Sequence, residues 1–280
     1  MLETLGPSLA WLPSVLRHYV RIAYHSQQVC QTLGNYSMSP TGLHPNPMTI
    51  MPMFASQFRS LETELRSNWS YLTQIMFWRA ELQLYSFVLP TEGFIKSGEI
   101  ALVTGSLETL SRGCIVAISL IHAATSLPDS NSTWTNVVRI GVGYAVFFLL
   151  KVSSSPELQI VEPAVIRNSI TQAWSFLHNG SEMEYDHFTR VCAIIEYLSK
   201  TSRDAQKGDL SLTVQSRMSA NPMWDAAWRA KDRFSESVKE SKPDDYTSAA
   251  AVESLLQIGL DFEITPSFLD QIESGWDFLF

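Results

Sequence analysis

At 280 residues and 31.5 kDa the chain is long enough to bury a sizeable core, as one large domain or as one domain with appended segments. Apolar residues make up 45% and charged residues only 17%, which excludes a chain disordered throughout. The net charge of −8 sits at one end: after Lys242 there are eight acids (Asp244, Asp245, Glu253, Asp261, Glu263, Asp270, Glu273, Asp277) and no Lys, Arg or His, which leaves twenty acids against twenty bases before it. A charge-balanced body has no basic footprint for nucleic acid, so no direct nucleic-acid contact is expected from it.

Cys30, Cys114 and Cys192 are odd in number, far apart and form no C-x-x-C pair, so neither a disulfide framework nor a cysteine zinc site is expected. No basic segment leads into an apolar run at the start, so no signal peptide is expected. The N-x-S/T triplets at Asn35, Asn68, Asn131 and Asn179 accordingly read as chance, with Asn131 and Asn179 as turn or cap residues.

Residues 1–13, with Gly6, Pro7 and Pro13, read as an entry segment. The spacing of Val15, Tyr19, Ile22, Val29 and Leu33 predicts a first helix over 14–33, closed by Gly34. His18 and His25 share one of its faces without a third ligand nearby, so they read as surface or packed histidines. Residues 35–53 hold Pro40, Pro45, Pro47 and Pro52 and read as a loop. Phe54, Phe58, Leu61 and Leu65 predict a second helix over 54–67. A third, over 69–89, has a broad apolar surface with Leu72, Ile75, Met76, Leu82 and Phe87. Its Arg79 has Glu81 and Gln83 as candidate partners, although adjacent spacing such as that of Glu81 does not favour a helix-surface bridge. The fourth, over 99–126, should bury Leu107, Leu110, Cys114, Ala117, Ile118 and Ile121, while Gly113, Ala117, Ala123 and Ala124 permit close approach of a neighbour. His122 on it reads as a core or rim histidine.

The stretch from Thr133 to Lys151, TWTNVVRIGVGYAVFFLLK, is the expected centre. Between Val137 and Leu150 only Arg139 is charged. The run is shorter than the ~20 apolar residues a membrane span needs. Thr133 reads as its N-cap and Lys151 as a cation placed at the negative end of the helix dipole. A helix apolar on all sides belongs inside a helical protein. Arg139 then has three readings: a buried ion pair, a side chain reaching out near the first turns, or an effector-binding group. Gly141 and Gly143 read as close-packing positions.

Pro163 starts a sixth helix over 163–178, with the stripe Ile166, Ile170, Trp174 and Leu177, and Gly180 closes it. A seventh over 184–200 buries Phe188, Val191, Cys192, Ile195 and Leu198. Glu182 and Glu184 fall at its start, where acids favour the dipole. The expected fold is therefore all-α, an irregular bundle of about seven helices over residues 1–200. Residues 201–250 read as a largely disordered linker, with a short helix over 223–234 around Trp224 and Trp228. Residues 251–280 form an acidic, aromatic tail, with a weak amphipathic helix over 251–260. In DFEITPSFLDQIESGWDFLF, apolar residues including Phe262, Ile264, Phe268, Leu269, Ile272, Trp276 and Phe278 alternate with five acids and no base. That alternation is the composition of activation segments that fold onto a partner's groove, or of a segment that docks on its own body.

No phosphate-binding glycine loop, H-E-x-x-H, G-x-S-x-G or dinucleotide fingerprint occurs, and no cofactor or enzymatic activity is expected. Asp129, Asp186, Asp204 and Asp209 do not form the paired clusters that a magnesium-dependent helical enzyme requires.

YAVFFLLK, followed by a Pro-led connector, PAVIRNSITQAWSFL and DHFTRVCAIIEYLSK, resembles the carboxyl half of fungal zinc binuclear cluster transcription factors, and NWSYLTQIMFWRAELQLYSFVL is similar to the helix before that array. The closing FLDQIESGWDFLF is similar to their acidic aromatic terminus. The resemblance covers roughly residues 55–200 and 260–280. It implies a helical regulatory domain followed by an activation tail, acting in the nucleus. That tail would recruit transcription machinery or a coactivator through Phe262, Phe268, Leu269, Trp276 and Phe278, and the body would set activity through a small effector or intramolecular masking. The six-cysteine zinc cluster and coiled coil that give such proteins their DNA contact and homodimer have no counterpart here. The chain then reads as part of a longer factor or as a regulator without its own DNA-binding module. The rivals are a helical enzyme and a membrane-associated scaffold.

Overall fold

The computed structural model describes residues 11–34, 47–89, 104–126, 136–153, 161–180 and 187–204. They form seven α-helices: α1 (Ser14–Leu33), α2 (Met51–Leu65), α3 (Tyr71–Ser86), α4 (Thr104–Thr125), α5 (Asn136–Ser153), α6 (Pro163–Asn179) and α7 (His187–Asp204). Short 3₁₀ turns at Pro47–Thr49 and Arg66–Asn68 flank α2. There is no strand among the described residues, and the all-α bundle is as expected. Residues 205–280 of the expected linker and tail, Thr133, Glu182 and Glu184 lie outside the described residues.

The packing order follows the chain. α3, α4 and α5 pack on one another, with α1 and α2 against α3 and with α6 and α7 against α5. The centre is α5, buried from Val138 through Val152 apart from Ile140. Gly113 of α4 explains how closely its neighbours approach: a Cβ there would lie 2.6 Å from Phe148 Cζ of α5 and 3.2 Å from Tyr85 Cβ of α3. Only glycine leaves room for the Phe148 ring, which is itself fully buried. Cys114, Ala117 and Ala124 continue that close-packed side of α4.

Local signals set most boundaries. Ser70 caps α3 by accepting the Thr73 N–H at 3.1 Å. Pro163 opens α6, and the Gly180 N–H returns to Phe176 O at 3.2 Å to close it. Helix α7 buries all five residues of its expected stripe, Phe188, Val191, Cys192, Ile195 and Leu198.

Four expectations are corrected. Helix α2 starts at Met51, not 54, because Pro52 falls in its first turn, where a missing N–H costs nothing. Helix α7 runs on to Asp204, past the expected linker boundary at 201. Val15 and Leu107 lie near helix starts, where no neighbour covers them, and both are exposed. Arg139 does not reach out to solvent: it is only 8% exposed, and Lys151 is fully buried.

Among the described residues two helices are long and apolar enough to cross a membrane by length and composition, over Ser106–Thr125 and Asn136–Ser153. In the fold, half of the first window and 78% of the second are buried against other helices.

Candidate functional site

Three helices bring polar side chains together inside the apolar core. Helix α1 supplies Ser26 and Cys30, α3 supplies Arg79, Gln83 and Ser86, and α5 supplies Tyr144. Ser26 lies one turn from Ile22 and Cys30 one turn later, so the buried stripe of α1 carries its polar groups to α3. Ser26 Oγ donates to Gln83 Oε1 at 2.8 Å, and Gln83 Nε2 donates to Cys30 Sγ at 2.9 Å. Tyr144 O–H donates to Ser86 Oγ at 2.7 Å, and Ser86 Oγ donates to the Gln83 carbonyl at 2.8 Å. Gln83 is the hub: its side chain ties α1 to α3, and its carbonyl meets the Ser86 hydroxyl that receives α5.

Arg79 is drawn into the same centre. Its aliphatic stem passes Gly141, where a Cβ would lie 3.7 Å from Arg79 Cδ. Burial pulls the guanidinium below its ordinary pKa, and the nearby Tyr144 and Cys30 oppose that. Burial likewise raises the Tyr144 phenol above its ordinary range. The hydrogen bonds join α1, α3 and α5, so the centre works as a lock that fixes the register of three helices. The sequence signal for it was weak. Glu81, two residues from Arg79, does not face it on a helix, and accepts from Tyr85 O–H at 2.8 Å on the same helix.

Arg139 lies in the first turn of α5. Its guanidinium carbon is 4.9 Å from the centroid of the Phe188 ring, at the start of α7. A Cβ at Gly180 would lie 3.2 Å from both Arg139 Nε and Nη2. The cation therefore lies over an aromatic face and beside the carboxyl end of α6, both of which favour positive charge. That arrangement joins α5, α6 and α7. Burial also pushes the Cys114 thiol of α4 up to about 12, so it is an inert core group.

A groove of about 260 Å³ lies between α1 and α2, lined by Tyr24, His25, Gln28 and Thr32 on one wall and Met53, Phe54 and Gln57 on the other. Burial, with help from Arg21, holds His25 below the ordinary histidine pKa, against a hydrogen bond to Gln57 and the charge of Glu64. His25 and His18 have no third ligand, and no group of three or more His, Cys, Asp or Glu able to hold a metal occurs among the described residues. His122 is exposed on α4. Phe262, Phe268, Leu269, Trp276 and Phe278 lie outside the described residues. No family model matches the chain, and none of the curated proteins or solved structures compared with it is a match.

Proposed function

We propose that the chain is the regulatory and activating portion of a transcription factor of the fungal zinc-cluster type, that it acts in the nucleus, and that it is not an enzyme. One observation carries the reading: a charge-balanced helical body filled by its own side chains is joined to an end that carries eight acids, no base and many aromatics. The acids repel one another and keep Phe262, Phe268, Leu269, Trp276 and Phe278 in water until a basic-rimmed apolar groove receives them. The partner would be transcription machinery or a coactivator. The polar centre of the body supports the reading, because Ser26, Cys30, Gln83, Ser86 and Tyr144 bond to one another across helices. Arg139 serves there as a positioning residue at the junction of α5, α6 and α7.

Residues 251–280 fused to a foreign DNA-binding domain should activate a reporter, and Trp276→Ala with Phe278→Ala should remove most of that activity. A silent fusion, or one indifferent to the double substitution, overturns the proposal. The apolar windows in α4 and α5 favour a membrane-associated scaffold as the second reading. Fractionation tests it: a pellet that resists salt and yields to detergent points to the membrane.

A further inference from the structure

The three cysteines are held in different ways. Cys114 and Cys192 are buried, whereas Cys30 is part-exposed at the edge of the α1 stripe, next to Val29. Cys192 Sγ is a donor: its S–H goes to the Trp174 carbonyl at 3.8 Å, which keeps the proton on sulfur. Cys30 Sγ is an acceptor. Gln83 Nε2 donates to it at 2.9 Å, and the Ser26 hydroxyl holds the other end of that amide by donating to Oε1 at 2.8 Å. Ser26 thereby fixes which end of the amide faces the sulfur. A hydrogen bond accepted by sulfur favours the thiolate over the thiol.

Charge works in the same direction. Arg79 of α3 and Tyr144 of α5 are titratable groups that face Cys30. Tyr144 and Cys30 steady the Arg79 guanidinium against burial, so an anionic sulfur is a counter-charge that this site favours. Three helices thus surround one nucleophile with an aimed amide donor and a buried cation. The sulfur is only partly uncovered between α1 and α3, which admits a small oxidant and resists a bulky one.

We propose that Cys30 is a peroxide-reactive site and that its oxidation to sulfenic acid unfastens α1 from α3. The sulfur lone pair attacks one oxygen of hydrogen peroxide, the S–O bond forms and the O–O bond breaks. The departing hydroxide takes up a proton, so thiol plus peroxide gives sulfenic acid plus water. Sulfur loses two electrons and the peroxide gains them. The new oxygen enters the space that the Gln83 amide now occupies. Gln83 is also the acceptor for Ser26, so moving its amide disturbs both hydrogen bonds that tie α1 to α3. A thiol reductant reverses the change.

The test treats the full chain with dilute hydrogen peroxide, traps sulfenic acid with a cyclic 1,3-diketone and locates the adduct by peptide mass spectrometry. Cys30 should carry it, and Cys114 and Cys192 should stay unlabelled until denaturant exposes them. The pH at which the Cys30 rate is half-maximal should lie below that of the same residue in the urea-unfolded chain, and Gln83→Leu should move it upward. Ser26→Ala leaves the Gln83 amide free to turn and should move it part of the way, which keeps the test intact if Gln83→Leu fails to fold. Oxidised protein should exchange its α1 amide protons several-fold faster, a thiol reductant should restore the slow rate, and Cys30→Ser should not respond. Equal labelling of all three cysteines, a half-maximal pH at or above that of the unfolded chain, or α1 exchange indifferent to oxidation overturns the proposal. No readout uses transcription, so this site and the regulatory reading stand or fall separately.

Discussion

Helices α1 and α5 are nearly equal in length, 20 and 18 residues, yet they solve opposite problems. Helix α5 is covered on all sides. Helix α1 buries only Ile22, Ser26, Val29 and Leu33, one row at the 4-3-4 spacing of a single face. The contrast teaches where each helix gets its stability. Helix α5 takes it from van der Waals contact around its whole circumference. Helix α1 depends on one stripe and on two hydrogen bonds with Gln83, one that Ser26 donates and one that Cys30 accepts, which leaves Leu16 and Val20 exposed.

If that contrast holds, damage should scale with enclosure. Phe148→Ala empties the close contact with Gly113 and should cost about 3–5 kcal/mol in chemical denaturation. A loss under about 1 kcal/mol would mean that α5 is not the packed centre. Gly113→Ala attacks the same contact from α4 by overfilling it and should cost about 1–3 kcal/mol. The pair is also informative: Phe148→Leu should relieve part of the Gly113→Ala penalty, because the atoms that collide are removed.

Tyr144→Phe leaves the Ser86 hydroxyl without its donor and should cost about 1 kcal/mol. A weaker and pH-dependent signal belongs to α1. His18 is held below its ordinary pKa by burial, then by Arg21 and Arg17, and His25 by burial and Arg21. An unfolded chain takes up a proton on each near the ordinary histidine value of 6.5, while the folded chain resists. The unfolded state therefore binds more protons as pH falls, so stability is complete above that pH and declines below it. Denaturation midpoints at pH 7.5 and 5.5 should show the decline, and His18→Gln with His25→Gln should flatten it. The smallest effect should come from Arg112→Ala, which removes an exposed pair with Glu108 at 2.8 Å and should change stability by about 0.5 kcal/mol or less.

Much of the fold was legible in the sequence, because helices with one apolar stripe advertise it. The five buried residues of α7 stand at helical spacing, and Pro163 and Gly180 bracket α6 as their chemistry dictates. The α1 stripe was readable except at Val15, where periodicity continues but covering neighbours do not. Proline misled at Pro52, since the same residue marks a loop and a first turn. The polar centre was hidden for a different reason. Gln83, Cys30, Ser86 and Tyr144 are 53–58 positions apart across each contact between helices, and no local pattern links residues so distant. Arg139 drew notice as a lone charge, but its aromatic partner, Phe188, lies on another helix and could not be read from spacing. The groove between α1 and α2 likewise arises from two helices meeting, and neither wall shows it alone.

The Phe148 ring set against Gly113, with Tyr85 beside it, means that α3, α4 and α5 cannot open one at a time without exposing the same aromatic surface. Local fluctuations should stop at that junction and run freely in α1. Amide protons along α5 should then be the last in the body to trade with deuterium, and they should do so together, in a single global opening event.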